Sequence, residues 1–169
     1  MDSAHIDSQK TNTFQRLWRY GPLLLWMALI SLASTSEFSA LNTSRVFRPL
    51  ILWIFPNLSE EGVAAVHFVT RKLGHFSEYA VLGILSARAF AGSAKDFIQR
   101  HWFQIALLLI TCYALLDEFH QSFVPGRTAS IYDSVIDVVG GLTALLLIRF
   151  RHRRRQSLRS RTRVTAEIK

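Results

Sequence analysis

The sequence predicts an all-α membrane protein: a bundle of four transmembrane helices with an interfacial or re-entrant segment between the first two. Three observations carry this expectation. Half of the 169 residues are hydrophobic and only 19% are charged, below the ~25% of soluble globular chains. Four stretches approach the roughly 17–25 mostly apolar residues that a spanning helix needs. The net charge of +8 is also segregated, since residues 149–169 hold nine Lys and Arg against the single Glu167, and residues 1–148 sum to zero. So apolar a chain is not intrinsically disordered, because disorder requires low hydrophobicity. One cysteine, Cys112, excludes an intramolecular disulfide and leaves the redox compartment unread.

The first span, 20–36, is uncharged and follows Lys10, Arg16 and Arg19. A cleaved secretory signal has the same layout of basic flank, apolar core and small residues, but here the core is long and further spans follow. The apolar piece 50–55 is too short to cross and is bracketed by Pro49 and Pro56, which fits an interfacial or re-entrant position. Ser59, then Glu60 and Glu61, reads as a helix start with acids in its first turn, and that helix can run unbroken into the second span, 73–92. The third span, 101–119, is uncharged from Trp102 to Leu116, and the fourth, 131–148, from Val138 onward.

Lys and Arg near span ends set the orientation. The Arg-rich tail places the C-terminus in the cytoplasm, and four spans then place the N-terminus there too. The expected organisation is a cytoplasmic segment 1–19, a transmembrane domain 20–150 and a basic cytoplasmic tail 151–169. Because the tail directly follows a span, its expected partner is anionic membrane lipid, at about 1 kcal/mol per basic residue near the surface, with no nucleic acid expected.

This topology brings ionisable residues to one membrane level. Lys72, His75, Glu78 and Tyr79 lie in the outer turns of span two, Asp117, Glu118, His120 and Gln121 at the outer end of span three, and Asp133 and Asp137 in the outer turns of span four. Arg127 sits in the connecting loop. Asp117 shares a helical face with His120 and Gln121, as His75 does with Tyr79. Ionisable groups at membrane depth are costly and avoid lipid, so these residues should line an outward-facing polar, acidic pocket.

Several readings of this set are open. His75, His120, Asp117 and Glu118 are residue types that hold a divalent metal, although no HExxH or other tight motif is present. An ion-pair network holding the helix ends together uses the same residues, and so does a headgroup-binding pocket. Ser130 and Asp133 fit the [ST]-x-x-[DE] capping pattern, which would make Asp133 a cap, whereas Asp137 lies a turn deeper. Arg127 could bind a phosphate or pair with Asp117 or Glu118. Gly140, Gly141 and Ala144 form a small-residue stripe that admits a close helix, within this chain or from another.

The runs Lys72-Leu-Gly-His75-Phe-Ser-Glu78-Tyr79 and Asp117-Glu118-Phe-His120-Gln121-Ser-Phe-Val-Pro125-Gly126-Arg127, with Asp133 and Asp137 before Gly140, resemble the VanZ-like family of bacterial membrane proteins. The resemblance spans 72–144; the N-terminal span and loop match in layout alone. It implies a small polytopic protein of the bacterial inner membrane acting at the cell envelope. The family takes its name from a member associated with lowered susceptibility to the antibiotic teicoplanin, and the resemblance supplies no mechanism. Two functions are therefore carried forward. One is binding of a lipid headgroup, a lipid-linked wall precursor or a partner. The other is a membrane-embedded, metal-dependent hydrolase or transferase for a lipid-linked substrate, with Asp117 or Glu118 as base, His75 or His120 as ligand or acid, and Arg127 on phosphate.

Overall fold

The computed structural model describes the backbone of residues 3–35, 40–125 and 130–167, and side chains over 13–35, 47–125 and 130–155. Among the described residues the chain is helical throughout: α1 (Ser3–Ala33), α2 (Ala40–Ile54), α3 (Glu60–Ala91), α4 (Asp96–Arg100), α5 (Trp102–Gln121) and α6 (Ile131–Glu167). By length and apolarity two of these can cross a membrane, Trp102–Gln121 and Ile131–Arg155, each containing an 18-residue stretch of mean hydropathy 1.5 and 1.8 respectively. The expected first and second spans overlap α1 and α3, which do not pass the same test. In α3 the cause is visible: His75, Glu78 and Arg88 interrupt its apolar run.

α3 is central and packs on α1, α2, α5 and α6. It starts where the sequence indicates. Ser59 is the N-cap, its hydroxyl accepting the Gly62 amide at 3.2 Å, with Glu60 and Glu61 in the first turn. The helix then continues unbroken to Ala91. Replacing Ser59 with Ala should cost about 1 kcal/mol of stability, to be measured by thermal unfolding in detergent; an unchanged midpoint would show the cap to be dispensable.

The short apolar piece 50–55 extends the end of α2, a 15-residue helix with Pro49 inside it. Ile51 is buried, while Leu50, Trp53, Ile54 and Phe55 are exposed. Arg48 pairs with Glu60 at 2.5 Å, tying α2 to the start of α3.

Pro22 lies inside α1. Proline has no amide hydrogen, so the carbonyl four residues earlier loses its helical partner. That carbonyl belongs to Trp18, and the Arg88 guanidinium donates to it at 3.3 Å while standing 5.7 Å from the centre of the Trp18 ring. Other polar ties fix α1. The Trp26 indole donates to the Glu78 carbonyl at 2.9 Å. The Tyr113 hydroxyl donates to the Met27 carbonyl at 2.5 Å and accepts from Ser31 at 2.7 Å.

Glycines set the α3–α6 spacing. A Cβ on Gly140 would overlap the Phe76 carbonyl oxygen, and one on Gly83 would lie 2.7 Å from the Gly141 carbonyl oxygen. A Cβ on Gly141 would lie 2.8 Å from Ile110 of α5. The small-residue stripe therefore serves packing within the chain. These contacts also give direction: residue numbers rise together along α3 and α6, which run parallel, and oppositely along α5. The core between them is Tyr79, Leu82, Ala106, Ile110, Ala114 and Leu145. Large apolar side chains outside it, among them Leu24, Leu29, Leu108, Leu116, Leu146 and Leu147, are exposed. A soluble domain rarely displays apolar surface so extensively.

Candidate functional site

The parallel run of α3 and α6 builds a ladder of polar pairs. Lys72 and His75 are three apart on α3; Asp133 and Asp137 are four apart on α6. Each spacing is about one turn, so the two rungs align. The Lys72 ammonium pairs with Asp133, whose side chain is 2% exposed. One turn deeper, His75 Nδ1 lies 3.2 Å from Asp137 Oδ1. The Arg71 guanidinium is a second cation on Asp133, at 3.7 Å.

α5 closes the third side. Its buried face follows the helical period through Ala114, Asp117, Glu118 and Gln121. The Gln121 amide donates to Asp117 at 2.9 Å and to the Ser34 hydroxyl of α1 at 3.3 Å. Glu118 Oε2 accepts the Ser130 backbone amide at 2.7 Å, and the Ser134 hydroxyl donates to the Ala114 carbonyl at 3.3 Å. Four carboxylates, Asp117, Glu118, Asp133 and Asp137, are thus buried in one layer with His75 and Tyr79, and the half-buried Lys72 borders it. Among the described residues, the Tyr79 hydroxyl, Glu118 Oε1 and Asp137 Oδ2 are buried there with no hydrogen-bond partner. Buried polar groups are overwhelmingly paired, so each orphan calls for an explanation.

Two sequence expectations are corrected. Asp133 does not close a capping box, because its carboxylate turns to Lys72 and Arg71, and Glu118 takes the Ser130 amide instead. His120 does not join the cluster. It follows Asp117 by three positions but falls beyond the edge of the stripe that α5 buries, and it is exposed. The set of His75, His120, Asp117 and Glu118 is therefore not assembled, and among the described residues no three His, Cys, Asp or Glu are arranged to hold a metal. Glu78 is half-buried beside the cluster. Arg127 lies outside the described residues.

Arg71, Ser134 and Ser34 are contributors that sequence reasoning missed, and Ser130 serves Glu118 and not Asp133. The adjacent Arg71-Lys72 pair was a visible signal. Nothing in the sequence marks Ser34, which reaches Gln121 across 87 positions.

A family model described as VanZ/LLP1 matches residues 17–152. The chain belongs to the VanZ/LLP1 family. The VanZ/LLP1 match begins near the middle of α1 and ends in α6, so it takes in the N-terminal span and loop that resemble the family in layout alone, as well as the polar cluster. No curated protein and no solved structure matches the chain.

Proposed function

We propose that this VanZ/LLP1 protein is an integral protein of the bacterial inner membrane that acts at the cell envelope by binding a ligand in its buried polar layer. In this reading α1, α3, α5 and α6 cross the membrane, α2 lies at the outer interface, and both termini are cytoplasmic. The polar layer then faces outward, and its ligand is a lipid headgroup, a lipid-linked wall precursor or a partner protein. The charge distribution supports the orientation: the end of α6 away from the layer carries Arg149, Arg151, Arg153, Arg154 and Arg155 without an acid among them.

The observation that carries the reading is the set of three orphaned atoms on Tyr79, Glu118 and Asp137. A purely structural network would be expected to satisfy its members, since an unpaired polar group in a low-dielectric site is costly. A ligand offering donors to Glu118 and Asp137 would satisfy them. The His75–Asp137 pair supports a second reading, catalysis on a lipid-linked substrate, because a carboxylate that orients an imidazole is a recurrent acid–base arrangement.

Mass spectrometry of lipids retained by the protein purified from its native membrane tests the first reading. The unaltered chain should hold a lipid or lipid-linked species that Asp137→Asn and Glu118→Gln lose at least tenfold while remaining monodisperse. Identical retained lipids in all three would overturn it. Hydrolysis of a lipid-linked phosphate by the unaltered chain, abolished by His75→Gln, would establish the second.

A further inference from the structure

The opposite end of the bundle holds a feature that the polar layer does not use. A groove of about 560 Å³ runs along α6, lined by Thr143, Leu146, Leu147, Arg149, Phe150 and Arg153. Its lower wall is apolar and open: Leu146, Leu147 and Phe150 are 49%, 56% and 60% exposed. Even Thr143 presents its methyl group, because its hydroxyl donates to the Val139 carbonyl at 2.7 Å. The upper wall is cationic. Among the described residues neither Arg149 nor Arg153 is in an ion pair. Their spacing of four positions puts them about 6 Å apart along one helix face.

Arg149 is also held in place, its guanidinium 4.9 Å from the centre of the Phe103 ring of α5. Such stacking fixes the side chain while leaving its N–H fork free for an anion.

Dimensions indicate the occupant. From Thr143 to Phe150 the helix rises about 10 Å, within the ~15 Å that one leaflet contributes to the ~30 Å hydrocarbon core of a bilayer. The groove therefore fits inside one leaflet, apolar where the chains lie and cationic toward the headgroups. The paired guanidinium forks suit phosphate oxygens. We propose that this groove is a binding site for one anionic phospholipid of the cytoplasmic leaflet, with its phosphate between Arg149 and Arg153 and an acyl chain along Leu146, Leu147 and Phe150. The site requires α6 to cross the membrane and is independent of what the outward polar layer binds. It also differs from diffuse attraction of the basic tail, which depends on charge number and not on position.

Native mass spectrometry of the full chain in detergent, titrated with phosphatidylglycerol and separately with phosphatidylcholine, tests the site. The unaltered chain should bind one phosphatidylglycerol at least tenfold more tightly than phosphatidylcholine. The Arg149→Gln/Arg153→Gln variant should lose about tenfold in phosphatidylglycerol affinity. Arg159→Gln/Arg161→Gln, which removes equal charge farther along the tail, should lose less than twofold. Leu147→Gln, at an exposed position, should weaken binding severalfold through the apolar wall with every charge retained. Equal losses from the two arginine pairs, equal binding of the two lipids, or no effect of Leu147→Gln would each overturn the proposal.

Discussion

Gly140→Ala should prevent the α3–α6 pair from forming at its present separation. The added Cβ would overlap the Phe76 carbonyl oxygen, with the carbonyl carbon at 3.0 Å and the Cα at 3.1 Å. All three obstacles are backbone atoms of a helix, so no side chain can swing away and the helices themselves must separate. Overpacking of a core typically costs about 1–3 kcal/mol, and a clash against rigid backbone belongs at or above the top of that range. Separation would also break the rungs above, Lys72–Asp133 and His75–Asp137, which span the same helix pair. The expected result is a thermal midpoint lowered by several degrees or loss of monodisperse protein in detergent. Gly74→Ala is the matched control. It lies on the same helix as Phe76, and an added Cβ meets nothing within 4 Å; gaining alanine's helix propensity should stabilise by up to ~1 kcal/mol. Equal behaviour of the two variants would mean that the glycine stripe does not set the helix spacing.

Lys72→Met should be the second large effect. It removes the nearer cation from Asp133 and leaves that carboxylate buried. Breaking a buried pair from one side costs about 3–5 kcal/mol, and the low end applies here because Arg71 remains 3.7 Å from Asp133. The double variant Lys72→Met/Asp133→Leu should recover most of the loss, since an apolar pair of similar volume is often neutral or stabilising. Arg71→Met alone should cost less than about 1 kcal/mol, the usual limit for partly exposed pairs. Unfolding of the unaltered chain, Lys72→Met, Asp133→Leu and the double variant in a common detergent measures the cycle. A double variant no more stable than Lys72→Met would show that Asp133 stabilises the bundle through something other than this pair.

The distinction between what is legible and what is not follows residue type and distance along the chain. Helix starts are local, so Ser59, Glu60 and Glu61 mark the beginning of α3 in the sequence and in the structure. Apolar runs are local too: α5 begins and ends within two residues of the expected third span, and α6 begins at the expected Ile131, though it runs on through the basic tail. The convergence of Lys72, His75, Asp117, Glu118, Asp133 and Asp137 on one level required only the order and direction of the helices.

Other features turn on rotation of a helix about its own axis, which periodicity constrains only to within a residue or so. His120 and Gln121 are neighbours at the end of α5, yet Gln121 is buried on Asp117 while His120 is exposed, and this alone dissolves the expected metal set. Asp133 matched a capping pattern that is satisfied within four residues. A cation on a neighbouring helix attracts its carboxylate more strongly than an amide of its own turn, so Lys72 takes it and Glu118 takes the amide. The small-residue stripe at Gly140 and Gly141 was readable as a site of close approach. Which helix approaches it was decided only when α3 laid Phe76 and Tyr79 against it.

The sequence by itself therefore determined the family, the helical class, two helices long and apolar enough to cross a membrane, and the polar character of one end of the bundle, because hydropathy, capping and segregated charge are properties of short segments. The tertiary structure alone decided which carboxylate meets which cation, which polar atoms are left without partners and where Arg149 and Arg153 overhang an apolar groove. Those depend on helix rotation and packing distance, which no single segment encodes.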